Sequence, residues 1–115
     1  MAHVMEIHVY PAHGEPGENL SEVVVEPEGL AGDRRKKAPV QVVAADDARF
    51  NTRANFIVSL PSGELAAAIG GVLSLGEVQL DVTGAPTNCP GVYAAVRSPG
   101  RVRLDDTVST IRELP

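Results

Sequence analysis

The sequence predicts a mostly β fold, a single barrel-like domain with one or two short helices, and three observations carry that expectation. Valine dominates the apolar residues and falls in short β-branched runs, such as Val23-Val24-Val25 and Val40-Gln41-Val42-Val43. Gly and Pro, 11 and 9 of the 115 residues, punctuate these runs at close intervals. One segment alternates strictly, with Val78, Leu80 and Val82 set against Glu77, Gln79, Asp81 and Thr83, the pattern of a strand with one buried and one solvated face. The length fits one domain spanning 1–115, and a hydrophobic content of 43% is enough for one core without staples.

Taken in order, the first predicted strand covers 3–10 and gives way to turn chemistry from Pro11 to Gly17. A second, 22–26, holds the triple valine and ends in the turn from Pro27 to Gly32. Strands at 39–44 and 55–60 flank a predicted turn of helix around Asp46 to Phe50. The main helix is predicted at Ser62 to Ile69, where Leu65-Ala66-Ala67-Ala68 are strong helix formers and Gly70-Gly71 stops the run. Strands at 72–75 and 77–83 share the Leu75-Gly76 turn, and the Gly84 to Gly91 connection leads to a strand at 92–97. Ser98-Pro99-Gly100 then turns the chain into a last predicted strand at 101–104.

Composition excludes several classes of function. With 10 basic and 15 acidic residues the net charge is −5, which repels phosphate backbones and argues against nucleic-acid binding. The charge is uneven: residues 1–30 carry Glu6, Glu15, Glu18, Glu22, Glu26 and Glu28 without Lys or Arg, and then Arg34-Arg35-Lys36-Lys37 arrive as a block. No signal-peptide pattern opens the chain and no apolar run is long enough for a membrane span, so a soluble, cytoplasmic protein with no membrane partner is expected. A single cysteine excludes an internal disulfide and any Cys₂ or Cys₄ metal site. The phosphate-loop, dinucleotide, zinc-protease and nucleophile-elbow motifs are missing. The only lysines, Lys36 and Lys37, lie in a charged run, so no pyridoxal-phosphate site is expected. Asp46-Asp47 and Asp105-Asp106 read as turn and edge residues, since chain neighbours in an extended strand point opposite ways. His3, His8 and His13 recur at an odd offset that places His3 and His8 on opposite strand faces, and they read as solvated bystanders.

Two segments hold chemistry. Cys89 lies in Thr83-Gly84-Ala85-Pro86-Thr87-Asn88-Cys89-Pro90-Gly91, between predicted strands and outside any apolar periodicity. A thiol on a loop near cations reacts as a thiolate; an incidental small hydrophobe is the other reading. In Glu28-Gly29-Leu30-Ala31-Gly32-Asp33-Arg34-Arg35, the glycines permit a tight loop, Asp33 can accept backbone N–H bonds, and the arginine forks suit phosphate or carboxylate. A solvated basic turn that offsets the acidic surface is the alternative.

Three segments in order resemble the MOSC domain, the C-terminal domain of molybdenum-cofactor sulfurases, which also occurs alone. GLAGDRR at 29–35 is similar to its G-L-x-G-D-R signature, RANFIVSLPSGELAAAIGGVLSLGEVQLDVTG at 53–84 to its R-x-N segment and following strands, and CPGVYAAVRSPGRVRLDDTV at 89–108 to its cysteine and closing strands. The resemblance implies a strand-rich barrel and a role for Cys89 as carrier of sulfane sulfur or as molybdenum ligand. It also implies that Asp33, Arg34, Arg35, Arg53 and Asn55 lie about a pocket for the anionic molybdenum-pterin cofactor. A thiolate is a nucleophile toward a persulfide and a soft metal ligand, and nearby guanidinium groups would hold the pterin phosphate and lower the thiol pKa. The chain departs from the pattern where the closing G-D becomes Asp105-Asp106, and where only about two residues separate Cys89 from the strand at Val92. Two readings remain: a sulfur-carrier or cofactor-handling domain served by a cysteine desulfurase or molybdoenzyme partner, or a non-catalytic module that binds an anion or a partner protein.

Overall fold

The computed structural model describes residues 2–12, 17–33, 39–47, 54–86 and 91–111. Eleven strands and one helix are defined among them: β1 (Val4–Val9), β2 (Glu18–Leu20), β3 (Glu22–Glu26), β4 (Gly29–Leu30), β5 (Val40–Ala44), β6 (Phe56–Val58), α1 (Ser62–Ala67), β7 (Val72–Leu75), β8 (Val78–Gly84), β9 (Val92–Ser98), β10 (Gly100–Arg103) and β11 (Val108–Ile111). A single 3₁₀ turn, Ala45–Asp47, follows β5. The expected mostly β architecture is therefore present.

Eight strands form one sheet in the order β11-β7-β8-β9-β5-β6-β1-β2, and β10-β3-β4 form a second. The large sheet curls until its ends meet. A bridge joins His3 to Thr107, Val4 N–H donates to the Asp106 carbonyl at 2.9 Å, and Val108 N–H donates to the Ala2 carbonyl at 2.9 Å. This seam brings the start of β11 against the start of β1, which gives the fold its barrel character. Period-two burial explains the interior. Val78, Leu80 and Val82 of β8, Val92 and Ala94 of β9, and Val40, Val42 and Ala44 of β5 share one core cluster with Phe56 and Val58 of β6. Val23, Val25, Leu30 and Val102 belong to the same cluster, so the second sheet closes over the interior.

The helix ends at Ala67 rather than Ile69. Gly70 takes a φ of +90°, and its N–H donates to the Val82 carbonyl at 2.9 Å, drawing the chain onto β8 before another helical turn can form. Asp46 supports the other end, accepting the Ser62 N–H at 3.4 Å. Of the helical turn expected at 46–50, the described part is the 3₁₀ turn at 45–47; the remainder lies outside the described residues.

Three short strands, β2, β4 and β11, were not expected. Each is defined by its partner more than by its composition: Glu18–Leu20 lies against Val9–Ile7, Gly29–Leu30 against Glu26–Val25, and Val108–Ile111 against Leu75–Val72. The histidine reading also needs correction. A bulge between Val4 and Glu6 inserts one extra residue into β1, with Val4 opposite Val58 and Glu6 opposite Ile57. The inserted residue reverses the parity of the odd offset, so His3, beside Ser59, and His8, beside Asn55, fall on the same face. Neither ring is merely solvated: His3 Nδ1 lies 3.3 Å from Ser59 Oγ, and His8 Nε2 meets Glu6 Oε1 at 2.8 Å.

Asp105, which stands where the resembled family closes on glycine, has a φ of +69°, the only non-glycine positive φ among the described residues. The left-handed turn survives although its usual residue does not. Its N–H donates to the Val4 carbonyl at 2.8 Å, and Asp106 Oδ2 accepts the Arg103 N–H at 2.8 Å, holding the turn against the seam. Asp105→Gly should stabilise the domain by about 0.5–1 kcal/mol, because relief of left-handed strain exceeds the added chain entropy. The denaturation midpoint in urea, with an unchanged m-value, checks this.

Candidate functional site

The site is built on three adjacent strands, β9-β5-β6. Val42 lies at its centre, paired antiparallel with Val92 and parallel with Phe56. Cys89 precedes Val92 by three residues, and Arg53 precedes Phe56 by three. Because the two pairings have opposite sense, the described residues that precede β9 and β6 lie toward opposite ends of β5. Gly91 lies toward Ala44, whereas Ala54 lies toward Val40. From the registers, Gly91 and Ala54 are offset by about 10 Å along the strands and by two strand spacings across them.

Between these ends the sheet is buried on both faces. Val43, Ala54 and Ile57 form a cluster separate from the main core, with Ala45 packed against it, on the face opposite Val42, Ala44, Phe56 and Val58. At the Val40 end, a hydrogen-bonded node joins four pieces of chain. Asn55, wholly buried, donates from Nδ2 to Asp33 Oδ2 at 3.0 Å and to the His8 carbonyl at 3.2 Å. Its Oδ1 accepts the Gln41 N–H at 3.0 Å. Its backbone is tied as well: Asn55 N–H donates to the Gln41 carbonyl at 2.8 Å, and His8 N–H donates to the Asn55 carbonyl at 2.8 Å. Asp33 Oδ1 accepts the Tyr10 N–H at 2.8 Å. The carboxylate expected to accept backbone N–H bonds accepts one from the end of β1.

Aromatic side chains flank this node. The His8 and Tyr10 rings stack with centroids 6.3 Å apart and planes 24° apart, and the Tyr10 hydroxyl donates to the Ala54 carbonyl at 3.4 Å. Gly17 makes room for the Tyr10 ring, which a Cβ at that position would overlap. At the Ala44 end, Gly91 packs directly on the Val42 carbonyl and the Val43 side chain at a φ of +97°. A cleft of about 350 Å³ opens beside it, lined among the described residues by Asp47, Ser62, Gly63, Leu65, Ala66, Gly91 and Val92.

Of the residues singled out from the sequence, Asp33 and Asn55 are brought into direct contact although 22 residues separate them. Arg34, Arg35, Arg53, Cys89 and His13 lie outside the described residues. Among the described residues, no group of three or more His, Cys, Asp or Glu is placed to hold a metal ion, and no helix is long and apolar enough to cross a membrane. Sequence reasoning missed Tyr10, Gln41 and Gly91. Gly91 had a signal, since a glycine directly before a valine-rich strand often marks close backbone approach; Gln41 contributes backbone groups that any residue type could supply, whereas Tyr10 adds its ring and hydroxyl.

No protein-family model matches this sequence, and no curated protein matches it. Solved structures do match in shape. The YuaD protein from Bacillus subtilis aligns with a TM-score of 0.73 at 11% identity over 94% of each chain. A hypothetical protein aligns with a TM-score of 0.75 at 13% identity, over 99% of this chain and 70% of its own. YiiM from Geobacillus stearothermophilus aligns with a TM-score of 0.69 at 12% identity, over 96% of this chain and 75% of its own. At such identities what is shared is the fold, and the chain is similar to these proteins over nearly its whole length.

Proposed function

We propose that this chain is a MOSC-like domain that handles sulfur or an anionic ligand of the molybdenum-pterin class, with Cys89 as persulfide carrier or metal ligand and Arg34, Arg35 and Arg53 gripping the anion. The observation that carries the reading is the hydrogen bond of 3.0 Å between Asp33 and Asn55, which joins the segment of the GLAGDRR motif to that of the R-x-N motif. The ordered motifs and the fold neighbours, which are MOSC-domain-like proteins, support it.

The residue types fit such a group. Arginine forks suit a terminal phosphate bidentately, and a thiolate is a soft ligand for molybdenum. When bound, the cofactor would supply oxygen- or sulfur-transfer redox chemistry. The protein's part is to bind, orient and present the thiol. In sulfur loading, the Cys89 thiolate attacks the terminal sulfur of a donor persulfide carried by a cysteine desulfurase. An S–S bond forms at Cys89, the donor's S–S bond breaks, and the donor leaves as a thiolate, with no net oxidation.

Cys89→Ser should abolish sulfur loading. Mass spectrometry after incubation with a cysteine desulfurase and cysteine should find one added sulfur on the unaltered chain and none on the variant; loading that persists would exclude the carrier role. The Asp33–Asn55 contact, made without a thiol, suits a second reading, a module that binds the anion without covalent chemistry. There, Cys89→Ser leaves phosphate affinity unchanged, the unaltered chain takes up no sulfur, and Arg34→Ala or Arg53→Ala weakens phosphate binding.

A further inference from the structure

We infer that the free edge of β11 is a docking site for an extended segment of a partner protein, one that carries a basic side chain. In an antiparallel strand the N–H and C=O of a residue point the same way, and successive residues alternate. Val108 N–H points away from β7, donating to the Ala2 carbonyl at 2.9 Å, while the Thr107 carbonyl points the other way and accepts the Gly76 N–H at 3.1 Å. Thr110, two residues beyond Val108, therefore presents both backbone groups away from β7. Neither has a partner among the described residues. The seam with β1 is bonded at His3 and Ala2, and among the described residues its bonds stop at Val108. Lysine, proline and bulges, which commonly guard an exposed edge, are absent from Val108–Ile111.

Two clefts run along this edge, of about 290 and 530 Å³, and Glu64 and Thr110 line both. Ile69 and Ile111, 42% and 44% exposed, stand in the first, and Leu60 and Pro61 in the second. These residues offer apolar contact to alternate side chains of an added strand, while Thr110 supplies its main-chain bonds. Glu64 is the only charged residue among the described residues lining either cleft, so the complementary segment is basic. Leu60 and Pro61 face the edge across the second cleft, leaving room for one extended segment but not for the edge of another folded sheet. A net charge of −5 also disfavours a second copy of this chain as the occupant.

Panning a displayed library of random peptides of about ten residues against the full chain should enrich sequences with Lys or Arg between β-branched or aromatic residues. Two variants then locate the bound peptides. Thr110→Pro removes an N–H that no described group uses, and proline is tolerated at such an edge position, so the fold should be kept while peptide affinity falls about tenfold. Glu64→Lys, at an exposed helical position, should weaken the basic peptides by about tenfold and leave the urea midpoint nearly unchanged. Circular dichroism follows folding of both, and if Thr110→Pro unfolds, Glu64→Lys decides alone. Selected peptides that bind Thr110→Pro as tightly as the unaltered chain would show that no strand is added. Enrichment of acidic or uncharged sequences indifferent to Glu64→Lys would show that the carboxylate reads no charge. Either result overturns the inference, as does a library that yields no binder. Sedimentation that finds a dimer dispersed by Thr110→Pro would assign the edge to a second copy and overturn it as well.

Discussion

Replacement of Gly91 by alanine should cost the domain about 2–5 kcal/mol, among the largest effects of any single methyl group in this fold. Two independent penalties meet at this position. The φ of +97° is one that residues with a Cβ rarely adopt, and the added carbon would overlap the Val42 carbonyl oxygen and come within 2.7 Å of Val43 Cγ2. Val42 cannot yield, because it is hydrogen-bonded into both β9 and β6. Gly70 provides the control. Its φ is +90°, but nothing lies within 4 Å of a Cβ there, so Gly70→Ala should show only the conformational part, about 1–2 kcal/mol. Equilibrium urea denaturation of both variants measures the difference. If Gly91→Ala costs no more than Gly70→Ala, the close packing of the strand start on β5 is refuted. The result bears on function because Cys89 lies two residues upstream. Gly91 is the last described anchor before the thiol, and its contact with Val42 ties that end of the segment to the centre of the sheet.

How much of this was legible beforehand varies with the distance over which the determining interaction acts. The β8 alternation was readable because each of Val78, Leu80 and Val82 takes its burial from its own position in one strand. The main helix was readable from local propensity, but not its last turn, which the Gly70 bond to Val82 removes. β2 and β11 were not readable, since Glu18–Leu20 and Val108–Ile111 are strands by virtue of β1 and β7. The histidine parity failed for a related reason: one bulged residue in β1 is a property of its pairing with β6, and it reverses every face assignment across it. At the site, Asp33 and Asn55 could be marked as unusual from their neighbours. That each is the other's partner depends on β1, β5 and β6 lying side by side, which no local pattern encodes. The placement of Gly91 and Ala54 toward opposite ends of β5 has the same origin, the parallel sense of β5–β6 beside the antiparallel sense of β5–β9.

The second large effect is expected at Asn55. Asn55→Leu keeps the branching of the side chain, with two bulkier methyl groups, but removes every polar atom from a wholly buried position. Three partners are then left without their bonds: the Gln41 N–H, the His8 carbonyl and the Asp33 carboxylate. An orphaned buried polar group costs roughly 1–3 kcal/mol, and a charged one more. Asp33 is half-buried and water can reach part of its carboxylate, so its share is reduced, and the variant should lose about 3–5 kcal/mol in total. Asn55→Asp keeps the acceptor for Gln41 but replaces a donor by a second carboxylate facing Asp33. Its loss should be at least as great near neutral pH and should diminish on acidification, because a protonated carboxyl can again donate toward Asp33. The sign follows from linkage: the introduced carboxyl binds its proton more tightly in the folded state than in the unfolded chain, so lowering the pH favours folding of this variant relative to Asn55→Leu. Urea denaturation of the two variants across that pH range is the measurement. A pH-independent difference between them would show that the carboxylates do not face one another, and would remove the physical basis for treating Asp33 and Asn55 as a single device.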